Sequence, residues 1–279
     1  MDTVGPDTIR PIDLPQANRL LRTLGAVHKI EERLRSSSIR KIHPESALVR
    51  DQAAGNAASG FNCAASALAA AVDHLRTWYY RLGGDLERFS MPIMSHYTLA
   101  RAVYESSLQA LWLLDPAVDS RTRIGRGYAV ELQSLVDLRK FQAAANMPSN
   151  QANAEMLIER LLAGAEREGF LRTAVSGNKS LTISPPTMVE LFNAYDAPDI
   201  PGRRPEWRYR ILSGMAHGRR WAIASNAEVE TATDDGHFLI PNWEYLQVFA
   251  DFTTQAASRA VNAFVEYRCE PTSATNPSQ

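Results

Sequence analysis

Apolar side chains recur every three or four residues along most of this chain, with charged and amide side chains between them, which is the pattern of helices that each bury one face. From Ala17 it runs through Leu20, Leu21, Leu24 and Val27. "HPES" at 43–46 interrupts it. An alanine-rich stretch over 45–82 then predicts one long helix, whose small side chains from Ala53 through Ala71 let a neighbouring helix approach closely. Gly83 and Gly84 in "LGGD" are expected to end it. The next helix carries Leu99, Val103, Leu108, Leu111 and Leu114 and stops at Asp115-Pro116, where the proline blocks continuation. Helices are expected over 120–145, 152–168 and 187–195, then through "YRILSGMAHGRRW" at 209–221. A last one over 243–268 places Tyr245, Val248, Phe249, Phe252 and Phe264 on its apolar face.

Two stretches lose the helical period. Residues 169–187 mix glycine, serine and β-branched side chains and read as a loop or short hairpin. Alternation around Asp235-Gly236 predicts a minor β-hairpin near 222–240. Pro6, Pro11 and Pro15 make 1–16 an extended arm, and the polar "EPTSATNPSQ" predicts a disordered tail over 269–279. No internal repeat or long linker divides the rest. The expected fold class is therefore all-α, a single multi-helix bundle over 17–268 with one minor hairpin.

Composition modifies this picture only at the margins. Hydrophobic residues make up 45% and charged residues 22% of the 279, which is ordinary globular usage. A net charge of −1 gives no global attraction to nucleic acid or to an anionic membrane, so any such contact must come from a local patch. Cys63 and Cys269 form neither a disulfide framework nor a metal-ligand spacing, and His43 and His237 are isolated. HExxH, CxxC, a Gly-rich phosphate loop and G-x-S-x-G are all missing, so neither metal nor cofactor is expected. The N-terminus lacks a basic and apolar leader, and Asn62, Ser66, Asp73 and His74 interrupt the most apolar run, so no membrane partner and a cytoplasmic location are expected.

Candidate chemistry gathers in "YRILSGMAHGRRW". Seven residues advance about 700°, within about 20° of two full turns, so Arg210 and His217 share a face with Ser213 and Gly214 between them. A guanidinium is a permanent forked donor, and an imidazole exchanges protons near neutral pH. The pair suits an RNA phosphodiester, with Arg210 on the non-bridging oxygens and His217 moving a proton on or off a ribose or leaving oxygen. A second cluster lies in "HYTLARAVYE", where Arg101 and Glu105 meet at i,i+4 while His96 points elsewhere. Arg126 in "RIGRGY", with Asp73 or His74, is a candidate to complete that network. "GRR" occurs at 202–204 and 218–220, and with Trp207, Arg208 and Trp221 it makes a local basic and aromatic patch. Arg219, Arg220 and Trp221 are the candidate substrate-binding residues.

The stretch from Arg210 to His217 has the form R-x6-H and resembles the R-x4-6-H motif of the HEPN superfamily, all-α proteins that include many metal-independent endoribonucleases of toxin–antitoxin and phage-defence systems. The resemblance implies a cleft holding Arg210 and His217, often shared across a homodimer, RNA as substrate and a neutralising protein as partner. Ser213, Arg101 and Glu105 would support the site. Ile211 stands where active members commonly carry a polar residue after the arginine, a departure that a binding-only member would show. "RAVYESSLQALWLLDP", "RIGRGY" and "YRILSGMAHG" also resemble uncharacterised bacterial α-helical proteins over about 60–268, without an activity attached. Two other readings of the same residues stand beside the nuclease. One is a non-catalytic interaction protein held together by an Arg/Glu/His network. The other is a bundle that binds a nucleotide or small molecule near Trp112 and Trp221.

Overall fold

The computed structural model describes residues 14–39, 41–87, 93–173, 179–195, 204, 206–233 and 236–269. Most of the expected arm, the tail beyond Cys269, Asp235 of the hairpin turn and Gly202-Arg203 of the first "GRR" lie outside those residues. The helices are α1 (Leu14–Leu24), α2 (Val27–Ile39), α3 (Ala47–Ala54), α4 (Ala58–Glu87), α5 (Ile93–Leu113), α6 (Ser120–Ala144), α7 (Pro148–Arg167), α8 (Met188–Tyr195), α9 (Glu206–Ala216), α10 (Arg220–Asn226) and α11 (Trp243–Cys269). Two antiparallel hairpins interrupt them, β1 (Leu171–Thr173) with β2 (Lys179–Leu181), and β3 (Ala227–Thr233) with β4 (Gly236–Pro241). The fold is thus an all-α multi-helix arrangement with minor β structure. The expected hairpin near 222–240 begins later, because 220–226 form α10. Its register pairs Ala227 with Pro241 and shifts between Glu230 and Thr233.

The long helix expected over 45–82 is two helices. Ser46 caps α3 by accepting from the Val49 N–H at 3.4 Å, and α3 stops at Gly55. α4 then runs through Gly83 and Gly84 to Glu87 instead of stopping there. A Cβ at either glycine would meet nothing within 4 Å, so neither marks a close approach.

Chain contacts divide the molecule into two compact units, among which α2, α4, α5 and α11 each share out their residues. The first comprises 1–32, 70–105 and 198–258. Its core holds Leu20, Leu24, Leu75, Trp78, Tyr97, Tyr104, Leu212, Met215 and Phe249, all essentially without solvent contact. Tyr97 meets Phe249 edge-on at 5.5 Å, which joins α5 to α11.

The second unit comprises 33–69, 106–197 and 259–279. α6 and α7 pack as an antiparallel pair whose base buries Ile124, Tyr128, Ala165 and Phe170. α4 crosses α6 where Gly60 and Gly127 meet; a Cβ on Gly127 would lie 2.7 Å from the Gly60 Cα. Small side chains in α4 therefore permit one backbone to touch another, as its composition suggests. Nearby, the buried Asp51 carboxylate accepts from Arg123 Nε and Nη2 at 2.8 Å each and from the Tyr267 hydroxyl at 2.8 Å. Burial, then the Asp51 charge, pushes the Tyr267 phenol well above its ordinary range.

Candidate functional site

In the first unit, α9 ends in a turn set by glycine. The Arg219 N–H donates to the Gly214 carbonyl at 2.8 Å and the Gly218 N–H to that of Met215 at 3.1 Å, with Gly218 left-handed at φ 62°. This is a Schellman closure, and it makes His217 the last half-helical residue of α9. α10 begins at Arg220, three residues later. Gly214 allows α10 to fold back, since a Cβ there would come within 2.6 Å of the Ala222 Cβ and 2.9 Å of the Trp221 ring. The motif is therefore not one continuous rod but a helix, a sharp corner and a second helix.

That corner delivers His217 to α5. Arg101 Nη1 lies 3.0 Å from His217 Nε2, and Arg101 Nε donates to Glu105 Oε1 at 2.6 Å. The Arg101 guanidinium also sits 5.7 Å from the centre of the Tyr209 ring. A guanidinium has no acceptor, so Nε2 can only be the acceptor in this contact. Glu105 fixes the guanidinium from one side, Tyr209 from another, and the imidazole takes a third direction. The side chains of Arg101 and Glu105 keep 21% and 26% of their surface, and His217 is exposed, so the cluster is open to solvent.

Arg210 has a different role from the one its spacing suggests. Its Nε and Nη2 donate to Glu206 Oε1 at 3.2 and 3.1 Å, an i,i+4 pair with the arginine side chain 61% exposed. The contact to His217 is made by Arg101, 116 residues away in sequence, and not by Arg210. Ser213 contributes its carbonyl, which accepts the His217 N–H at 3.1 Å. Arg219, Arg220 and Trp221 are exposed on the corner, Trp221 by 53%, and Arg204 is exposed at the opposite end of α9. Arg208, expected in that surface patch, is instead fully buried, its guanidinium 3.5 Å from the centre of the Phe252 ring. His96 is buried too.

Arg126 does not complete the Arg101 network. It lies in the second unit, where Nη1 donates to the Trp112 carbonyl at 2.5 Å and reaches Tyr195 Oη at 3.3 Å, with the Trp112 ring 4.9 Å from its guanidinium. The Tyr195 hydroxyl donates to Asp115 Oδ2 at 2.6 Å, and burial followed by that bond pushes the phenol up to about 12. Asp73 likewise pairs with Arg76, at 2.6 Å, and Glu31 lies 3.5 Å from the same guanidinium. Trp112 is buried in this second cluster while Trp221 is exposed in the first unit. Among the described residues no group of three or more His, Cys, Asp and Glu side chains is arranged to hold a metal ion, and no helix is long and apolar enough to cross a membrane.

Two site residues, Tyr209 and Glu206, are absent from the sequence expectations. Tyr209 carries no motif, and its neighbour relation to Arg101 arises only on folding. Glu206 was legible as the i,i+4 partner of Arg210. No family model, curated protein or solved structure matches the chain. Function is therefore read from the geometry of the α5–α9 cluster.

Proposed function

We propose that this protein is a metal-independent endoribonuclease of HEPN-like type, with Arg101 rather than Arg210 as the phosphate-holding cation. The observation that carries the reading is the solvent-open contact of Arg101 Nη1 with His217 Nε2 at 3.0 Å, backed by Glu105. An incoming phosphodiester competes for the guanidinium through its non-bridging oxygens, which accept charge-assisted bonds more strongly than a neutral imidazole does. Its arrival frees the Nε2 lone pair beside the substrate. His217 then takes the proton of the ribose 2′-hydroxyl, the 2′-oxygen bonds to phosphorus, and the bond to the 5′-oxygen breaks. That oxygen leaves with the electron pair and is protonated by the His217 imidazolium. The products are a 2′,3′-cyclic phosphate and a free 5′-hydroxyl. Arg219, Arg220 and the exposed Trp221 flank the imidazole on the same corner and supply charge and a stacking face for single-stranded RNA. Arg210 adds charge at the edge. A neutralising protein would act by covering this corner.

The test uses wild type, Arg101→Ala, His217→Ala and Arg210→Ala, each incubated with total RNA in the presence of a chelator. The expected result is cleavage by wild type with cyclic-phosphate ends, a loss on the order of 10²–10⁴-fold for His217→Ala and for Arg101→Ala, and a smaller loss for Arg210→Ala. Uncut RNA with wild type, or full activity in His217→Ala, overturns the proposal.

One observation favours a second reading, in which the cluster is a clamp: Arg101 already has partners on both sides, Glu105 and His217, and ties α5 to the α9–α10 corner. A clamp without chemistry lowers the melting temperature when Arg101 is removed and leaves RNA intact in every variant. For a partly exposed ion pair the loss is under about 1 kcal/mol.

A further inference from the structure

Arg101 engages its guanidinium unevenly. Nε donates to Glu105 Oε1 at 2.6 Å, Nη1 lies 3.0 Å from His217 Nε2, and the Tyr209 ring centre is 5.7 Å from the guanidinium carbon. Among the described residues Nη2 donates to no carbonyl or carboxylate, so two N–H groups remain on one edge of a side chain that keeps 21% of its surface. The guanidinium and the Glu105 carboxylate cancel in charge, and an imidazole that accepts through Nε2 is neutral. The cluster therefore has no net charge at rest.

His217 is able to change partner. It is exposed, it closes α9, and Gly218 directly after it is left-handed at φ 62°. The charged and titratable groups on the elements that meet at the imidazole are Arg101 and Glu105 from α5, Tyr209 and the Glu206–Arg210 pair from α9, and Arg219 and Arg220 from the corner. Glu206 and Arg210 bond to each other, while Arg219 and Arg220 are exposed cations that favour anions nearby. A protonated imidazole has no lone pair to offer Arg101, and two cations 3.0 Å apart repel. Conversely, a ring that loses Arg101 regains a basic nitrogen. Whatever draws the guanidinium away and whatever protonates the ring thus favour the same rearrangement.

We propose that the cluster is a regulatory binding site for a free, doubly charged tetrahedral oxyanion of the inorganic phosphate class, taken up together with one proton on His217. The binding stands on the geometry of the cluster, and its consequence for cleavage rests on the nuclease reading. With a singly charged phosphodiester on Arg101 and a neutral ring, the cluster and ligand together carry one negative charge, and Nε2 is ready to take the 2′-hydroxyl proton. A dianion on the same donors would leave two negative charges beside a basic nitrogen. A proton passing from water to Nε2 restores the total to one and gives the ligand a second charge-assisted donor. The site so loaded holds an imidazolium where cleavage has to begin from a base. The free dianion is therefore an inhibitor that binds with a proton, and its hold tightens as pH falls; the diester of the substrate needs no solvent proton.

Calorimetric titration of the full-length chain with sodium sulfate, which stays doubly charged near neutral pH, tests this at constant ionic strength. Two buffers of different ionisation enthalpy count the protons taken up at about pH 7.5, where an unperturbed imidazole is mostly neutral. The expected result is uptake of a large fraction of one proton per sulfate and an affinity that falls by up to about tenfold per pH unit above that point. His217→Asn is expected to bind more weakly through Arg101, with neither proton uptake nor pH dependence, and Arg101→Gln to lose binding by at least about tenfold. Circular dichroism checks the fold; should His217→Asn lose it, His217→Gln is read in its place. Sulfate binding without proton uptake overturns the proposal, as does uptake that persists in the folded His217 variant, or no binding at millimolar sulfate. Cleavage of RNA is followed separately. Intact RNA alongside proton-coupled sulfate binding removes the nuclease and leaves the anion site, whereas cut RNA alongside proton-free binding removes the anion proposal and leaves the nuclease.

Discussion

Three side chains carry most of what is specific to this protein. Arg101 is the first, because it converts an isolated imidazole into a paired one and turns a spacing motif into a cluster. Asp51 is the second. It is fully buried and holds Arg123 and Tyr267 at 2.8 Å, so removing its charge strands a guanidinium in low dielectric. Asp51→Asn is expected to lower the unfolding free energy by about 3–5 kcal/mol in a urea titration, and Tyr267→Phe by about 1–3 kcal/mol, the cost of leaving one buried acceptor short. Cys63 is the third. Burial, then its bond to Glu131, pushes the thiol up to about 12, so it stays protonated and alkylates far more slowly at pH 8 than an unhindered cysteine does. Glu206–Arg210 was legible from a four-residue spacing, and so was Arg101–Glu105. Arg123 was not, because nothing local distinguishes it from Arg126 three residues on.

Glycines explain the elements, and they do so in opposite senses. Gly127 and Gly214 stand where a neighbour leaves no room, since a Cβ on Gly127 would be 2.6 Å from the Gly60 nitrogen and one on Gly214 equally close to the Ala222 Cβ. Gly127→Ala forces α4 and α6 apart and is expected to cost at least about 1–3 kcal/mol, read as a lowered urea midpoint with an unchanged slope. Gly218 is required by its backbone, and Gly218→Ala, at φ 62°, is expected to cost about 1–2 kcal/mol. Gly83 and Gly84 behave otherwise. They lie inside α4 with open space around them, so Gly84→Ala is expected to raise stability by about 0.5–1 kcal/mol. Two glycines in a row are ordinarily a helix stop signal. The helix continues there because Leu82 just before them is fully buried in the core of the first unit and anchors the turn.

At the scale of the molecule, alkaline pH is the condition that loads both units at once. Tyr97 in the first unit and Tyr195 and Tyr267 in the second all have phenols held above their ordinary range, by burial first in each case. In the unfolded chain these groups ionise near pH 10, while in the folded chain they keep their protons, so the folded state binds more protons and its stability falls as pH rises beyond about 10. Melting curves are expected to be flat with respect to these groups below about pH 9 and to shift down above it, with the tyrosinate absorbance of the buried rings appearing only on unfolding. The periodic apolar faces and the i,i+4 pairs are legible in the sequence, because each depends on residues within a turn or two of one another, and the all-α class follows from their period; the break at Gly55, the run through Gly84 and the corner after His217 are not. Tertiary structure alone decided which arginine meets His217 and which glycines are crowded. Arg101 and His217 stand 116 positions apart and Gly60 and Gly127 lie on different helices, and only the packing of whole helices, driven by burial of their apolar faces, brings such residues together.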